Sequence, residues 1–400
     1  MSLFSDVQQA APDAILGLTE QFKADTNPQK VNLGVGVYQD ETGKLPLLRC
    51  IEAAEKRLAE KSAAKGYLPI DGLATYDADV KDLVFGAGSE VVESGRVVTV
   101  QALGGTGALK VGADLLHQVS PDAKVLISNP SWENHQALFT RAGFTVGKYA
   151  YYDAARKAVD FEGMLADLRA AAPGTIVILH ACCHNPTGYD LTRDQWDQVI
   201  EVVLEAGLVP LLDMAYQGFS EGLEEDGAVV RMFAERVPSF FVSTSFSKSL
   251  SLYGERVGAL SIVCADAEEA KRVLSQVKVV IRTNYSNPPT HGALLAATVL
   301  SDADLRAQWV DELGEMRERI KAMRTALVEG LKAAGVEQDM SYITDQVGMF
   351  SFSGLTKDQM VRLRNEFGVY GTDTGRICVA ALNRGNVDHV SRSIAAVLKG

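Results

Sequence analysis

Six short apolar runs mark the middle of the chain, at 97–103, 124–128, 175–180, 208–212, 240–244 and 257–263. Several lack the alternation of a half-exposed strand, which predicts strands buried on both faces of a mainly parallel sheet. Segments with apolar residues at helical spacing, such as 194–206 and 227–236, lie between them. From about residue 75 to 265 the chain therefore reads strand, loop, helix in repetition. Beyond that the pattern turns helical. Residues 302–333 carry Trp309, Leu313, Met316, Ile320, Met323 and Leu327 on one face, predicting one long helix that joins two units. Short strands at 349–352 and 376–380, with helices at 356–367 and 387–398, predict a smaller α/β unit.

Upstream of the sheet, residues 1–30 read as a polar arm with an amphipathic piece at 12–22. The run 31–38 is strand-like, and its Gly34 and Gly36 permit close approach to the backbone. Residues 47–63 predict an amphipathic helix, and 66–72 a turn-rich loop that exposes Tyr67. The expected organisation is an arm that also belongs to the small domain (1–45), a large domain (46–312) and a small C-terminal domain (313–400).

Composition narrows this picture. Hydrophobic residues at 47% and charged residues at 22% are ordinary for a soluble globular chain. A net charge of −12 argues against nucleic acid or anionic membrane as a partner. The five cysteines (Cys50, Cys182, Cys183, Cys264, Cys378) give no disulfide framework and suit a reducing compartment. No signal-peptide pattern or bilayer-length apolar run is present, so the expected location is the cytoplasm. Cys182-Cys183-His184 looks metal-like. Adjacent residues on a strand point to opposite faces, however, and no second pair lies nearby, so no metal is expected.

The polar motifs share one kind of place. Gly104-Gly105-Thr106-Gly107, Asn129 to His135, Cys182 to Gly188, Asp213 to Tyr216 and Ser245 to Lys248 each follow an apolar run. In an open α/β sheet, ligands sit beyond the carboxyl ends of the strands, so these motifs are expected to meet in one crevice. Lys248 stands alone in a small, apolar stretch. Either it is a surface lysine at a strand end, or apolar surroundings keep its amine neutral enough to condense with an aldehyde. Ser245, Arg256 and the N–H groups of Gly105 and Thr106 suit a phosphate, although a plain tight turn would look the same at 104–107. Asp213 is either a helix cap or the partner of a protonated ring nitrogen, with His135 behind it. Asn185 and Tyr216 suit a phenolic oxygen. Trp132 either packs in the core or stacks on a planar ring. Phosphate, aldehyde, phenolic oxygen and ring nitrogen together describe pyridoxal phosphate. Arg376 and Arg282 are either surface ion pairs or forks for two carboxylates of a substrate.

These stretches, with Asn32 to Tyr38, Ser128 to Trp132, Tyr253 to Gly258, Asn284 to Pro289 and Gly348 to Phe352, resemble the fold-type I pyridoxal-phosphate enzymes. Within them, the resemblance is to the aspartate/aromatic aminotransferase branch, from about residue 5 to the C-terminus. Trp132 to His135 with Ser251 to Arg256 is most similar to the bacterial aromatic-amino-acid (tyrosine) enzymes. The resemblance implies a large domain with a mainly parallel seven-stranded sheet plus a smaller α/β domain. It implies transamination between an aromatic or acidic L-amino acid and 2-oxoglutarate, ping-pong through pyridoxamine phosphate. An aspartate-selective aminotransferase, a β-lyase or a decarboxylase are the alternatives on the same scaffold. A nicotinamide-dependent reductase would leave Lys248 and Arg376 idle, and a pyridoxal-binding DNA regulator would need a basic reading segment.

By the same resemblance Lys248 holds the cofactor covalently and shuttles a proton. Asp213, backed by His135, pairs with the ring nitrogen, Tyr216 and Asn185 bind the phenolic oxygen, and Trp132 stacks. Gly105, Thr106, Ser245 and Arg256 hold the phosphate, with Tyr67 from a second subunit. Arg376, beside Asn185 and under the backbone of Gly36, takes the α-carboxylate, and a neighbour's Arg282 takes a side-chain carboxylate, so a homodimer is implied. Gly104 departs from the serine many aspartate enzymes carry there. Cis bonds are expected before Pro130 and Pro186.

Overall fold

Seven strands form the central sheet, numbered here in chain order: β1 (Val97–Leu103), β2 (Lys124–Asn129), β3 (Thr145–Ala150), β4 (Ile176–His180), β5 (Val209–Met214), β6 (Phe240–Ser245) and β7 (Val257–Val263). In the computed structural model, which describes residues 2–10 and 15–399, their spatial order is β1-β7-β6-β5-β4-β2-β3. The pairs β2–β3, β2–β4, β4–β5 and β5–β6 are parallel, whereas β7 runs antiparallel to both β1 and β6. The fold is thus α/β with a mixed, mostly parallel sheet. Strands β4, β6 and β7 are buried along their whole length, which is why their sequences are apolar runs without alternation.

The sequence pattern missed β3. Thr-Val-Gly-Lys-Tyr-Ala at 145–150 alternates weakly and carries a glycine and a lysine. It lies at the sheet edge, paired only with β2, where exposure tolerates both residues. The run 31–38 is also corrected: only Val31–Asn32 is strand, paired in parallel with Val369–Tyr370. The amphipathic piece expected at 12–22 falls partly outside the described residues, and the helix seen runs Leu16–Ala24.

The long helix is Ala303–Ala333, 31 residues, N-capped by Asp302, whose carboxylate accepts from Leu305 N–H at 2.9 Å. Its first half meets the helices Arg49–Lys61 and His291–Ser301, and Glu312 accepts the N–H groups of Arg49 and Cys50 at 2.6 and 3.0 Å. Its second half packs on the helix Val387–Lys399. The antiparallel strands β8 (Phe350–Phe352) and β9 (Arg376–Cys378) lie beside that end. No helix among the described residues is long and apolar enough to cross a membrane.

Strand polarity places the chemistry. The carboxyl ends of β1, β2, β4, β5 and β6 share one edge of the sheet. Because β7 runs the other way, its amino end, preceded by Arg256, reaches the same edge. Both Asn129-Pro130 and Asn185-Pro186 are cis.

Candidate active site

Lys248 follows β6 and opens onto a cavity of about 350 Å³ at that edge of the sheet. Among the described residues its amine has no ion-pair or hydrogen-bond partner, and it lies 4.9 Å from the centroid of the Tyr216 ring. Burial lowers its pKa to about 8, with Asp213 pulling up and Arg256 pushing further down. Asp213, near the end of β5, is buried. Burial raises its carboxyl, but the hydrogen bond and charge of His135, with His180 and Lys248, outweigh this and the net shift is downward. His135 Nε2 lies 2.9 Å from Asp213 Oδ2, and Ser131 Oγ lies 2.9 Å from His135 Nδ1. With Asp213 ionised, Nε2–H donates to the carboxylate, and Nδ1 shares the hydrogen bond with the Ser131 hydroxyl. Trp132 packs edge-on against His135 at 5.3 Å and lines the cavity.

Behind Asn185, which lines the cavity, Arg376 is 1% exposed, on β9. Its Nη1 donates to Asn185 Oδ1 at 3.1 Å and its Nη2 to Gly34 O at 2.7 Å, while its Nε is buried without a partner. Asn185 Oδ1 is thereby taken, which leaves its amide N–H₂ to donate elsewhere. Gly36 borders the cavity, and a Cβ on it would lie 2.6 Å from the ring of Phe350, so the arm approaches there only because the side chain is absent.

The third side is polar. Gly105, Thr106, Ser245 and Arg256 all line it, at the start of the helix Gly104–Val119. Gly104 has φ +68°, and a Cβ there would come 2.7 Å from Arg256 Nη2. Its departure to glycine thus leaves the guanidinium lying directly against the backbone that opens the helix. Arg256 itself is left-handed, φ 56°, and donates to Tyr253 O at 3.0 Å.

Tyr67 and Arg282 are not brought to this cavity. Tyr67 is 96% exposed, and both line a separate groove with Pro288 and Pro289. Several residues that line the cavity were missed in the sequence, His180, Tyr253 and Val37 among them. His180 ends β4 in register with Asp213; neither ring nitrogen has a partner, and burial, with His135 adding, lowers its pKa to about 3. Its signal was available, since it is a polar residue closing an apolar run like Asp213. Tyr253, whose hydroxyl accepts from Tyr38 N–H at 3.0 Å, and Val37 had no such signal.

The reason given against a metal at Cys182-Cys183 is corrected. Both lie past the end of β4, Cys183 with φ 52°, so strand alternation does not separate them, and their thiols come within 4.8 Å of the Asp226 carboxylate. That carboxylate already accepts N–H groups of Gly218, Ser220 and Glu221 at 2.8 to 3.0 Å.

The comparisons agree on one family. The model for aminotransferase class I and II matches residues 28–394. The chain belongs to that family. It is 60% identical to an aspartate aminotransferase of Pseudomonas aeruginosa over 398 residues, covering all of both chains. It is 50% identical to an aromatic-amino-acid aminotransferase of Escherichia coli, covering 99% of this chain and all of the other. A crystal structure of an aromatic-amino-acid aminotransferase from Burkholderia pseudomallei, covalently bound to pyridoxal phosphate, superposes with TM-score 0.97 at 63% identity over the full length of both. This aminotransferase therefore catalyses transamination, and its family works with pyridoxal phosphate. The residues present fit that group: a half-buried lysine with a lowered pKa, a carboxylate held ionised on the same cavity, and a cradle of glycine, hydroxyl and guanidinium groups at the start of a helix.

Proposed function

We propose that this chain holds pyridoxal phosphate in the Lys248 cavity and transaminates aromatic and acidic L-amino acids against 2-oxoglutarate, as a homodimer. The observation that carries the substrate reading is the placement of two arginines. Arg376 stands behind the cavity wall, bonded to Asn185, which lines it, whereas Arg282 lines a separate groove with exposed Tyr67. Val35, Val37, Leu109 and Trp132 contribute apolar lining. One chain alone thus offers an α-carboxylate clamp and an apolar wall for an aromatic side chain. A second copy contributing Arg282 adds the charge an acidic side chain needs, and Tyr67 from the same groove reaches the phosphate.

When bound, pyridoxal phosphate supplies an aldehyde carbon that carries the amino group and a ring that accepts electrons. Lys248 would hold that carbon, and its amine, when free, would carry the proton at substrate Cα. Asp213, fixed by His135, would keep a proton on the ring nitrogen. The Tyr216 hydroxyl and the Asn185 amide would serve the phenolic oxygen, and Trp132 would lie against the ring. Gly105, Thr106, Ser245 and Arg256 would hold the phosphate. Arg376 orients the substrate by its carboxylate, under the backbone of Gly36.

Steady-state kinetics with phenylalanine, tyrosine and aspartate against 2-oxoglutarate test this. Parallel double-reciprocal lines are expected for all three, and reaction of aspartate alone overturns the aromatic part. Arg282→Ala should lower kcat/KM for aspartate about 100-fold, the scale of losing one charge-assisted pair, with far smaller loss for phenylalanine. Equal losses remove the proposed role. A pH test follows from the lysine. Its folded pKa is about 8. The reactive neutral amine grows as pH rises through that value, so capture of pyridoxal phosphate by the apoprotein should accelerate with a midpoint near pH ~8 and level off above it. A midpoint near that of an ordinary lysine contradicts the reading.

A further inference from the structure

Arg324, on the long helix, is 2% exposed, and burial lowers its pKa to about 10 with no carboxylate among the groups that perturb it. Its guanidinium donates instead to three carbonyls of one chain reversal: Ile343 O at 3.2 Å, Gly348 O at 2.8 Å and Phe350 O at 2.6 Å. A cation buried without an anion is costly, so the geometry it secures is the thing to explain. The reversal touches both sides of the proposed carboxylate clamp. Val347 N–H donates to Gly188 O at 2.7 Å, tying it to the segment that carries Asn185. The Phe350 ring faces the Arg376 guanidinium, 4.3 Å from centroid to Cζ, and meets Tyr216 edge-on at 5.8 Å. The same ring sets the distance of closest approach for Gly36.

We propose that Arg324 is a positioning residue for substrate carboxylate binding: by gathering the carbonyls of Ile343, Gly348 and Phe350 it sets the Phe350 ring against Arg376 and the neighbouring backbone against the Asn185 segment. Arg376 is held from two directions by Asn185 and Gly34, and the ring supplies the third. An apolar residue in place of Arg324 would leave three buried carbonyls without donors, and the reversal would shift to satisfy them. The ring would then leave the guanidinium, and the fork would lose its fixed plane.

This inference rests on the reading of Arg376 as the α-carboxylate clamp, and the test separates the two. Single-turnover rates of the holoenzyme are measured with phenylalanine and with phenethylamine, its analogue without the carboxylate. The readout is their ratio. Arg376→Ala should collapse that ratio; if the ratio stays unchanged, the clamp reading itself fails. Given the collapse, Arg324→Lys and Phe350→Leu should each lower the ratio about tenfold in the native background and leave it unchanged in the Arg376→Ala background, the signature of coupled neighbours. A merely structural role predicts equal losses for both substrates, hence a constant ratio, or the same added loss in both backgrounds; either result overturns the proposal. Should Arg324→Lys fail to fold, Phe350→Leu, which changes no buried charge, decides by the same criteria.

Discussion

Lys248→Ala is expected to lower kcat by about 10⁴-fold, the upper range for a positioned proton-transfer group, while pyridoxal phosphate still binds through its other contacts. Among the described residues no other lysine lines the cavity, so no second amine stands ready there. The ammonium form is disfavoured there by burial, which gives the amine its reactivity near neutral pH. The proposed phosphate cradle of Gly105, Thr106, Ser245 and Arg256 lies on separate residues and should survive the substitution. Equilibrium dialysis with pyridoxal phosphate and single-turnover rates with phenylalanine check both halves. Added small primary amines should restore part of the rate, since only a proton carrier is missing. A variant that keeps a tenth of wild-type kcat would show that another group moves the proton.

Asp213→Asn keeps the shape of the side chain and removes its charge. The expected loss in kcat is about 10³-fold, the scale of removing one preorganised electrostatic group. An amide oxygen can still accept from His135 Nε2–H, so the hydrogen bond survives while the charge that would hold a proton on the ring nitrogen is lost. The same substitution has a pH signature in stability. The Asp213 carboxyl titrates below its ordinary 3.8 in the folded chain. The unfolded state therefore binds more protons between the folded and unfolded pKa values, and the stabilisation is complete above about pH 4 and lost as pH falls through the folded value. Denaturant midpoints of the apoproteins should differ most at neutral pH, and the gap should close on acidification. A gap that widens in acid would mean that the folded carboxyl is not depressed.

Much of the site was legible because of where each residue stands relative to an apolar run. Asp213 stands near the end of β5, Gly105, Asn185 and Lys248 follow the ends of β1, β4 and β6 within a few residues, and parallel strands deliver their ends to one edge. His180 obeys the same logic and was overlooked, although it ends β4 opposite Asp213. Arg256 is different. It precedes a strand, and only the reversed direction of β7 brings it to that edge. Arg376 lies 191 residues from Asn185 in the chain, and no local pattern announces their bond. Edge strand β3 was obscured because exposure relaxes the demand for apolar residues.

The sequence by itself determined the alternation of buried strands and helices, the long helix Ala303–Ala333, and the chemistry available at the strand ends. These follow from local patterning, since burial on two faces needs unbroken apolar runs and a helix needs apolar residues at its own period. Tertiary structure alone decided the rest: the antiparallel sense of β7, the approach of Gly36 to Phe350, the junction of Arg376 with Asn185, and the separation of Tyr67 and Arg282 from the cavity. Each depends on contacts between segments far apart in the chain, which short-range periodicity does not encode.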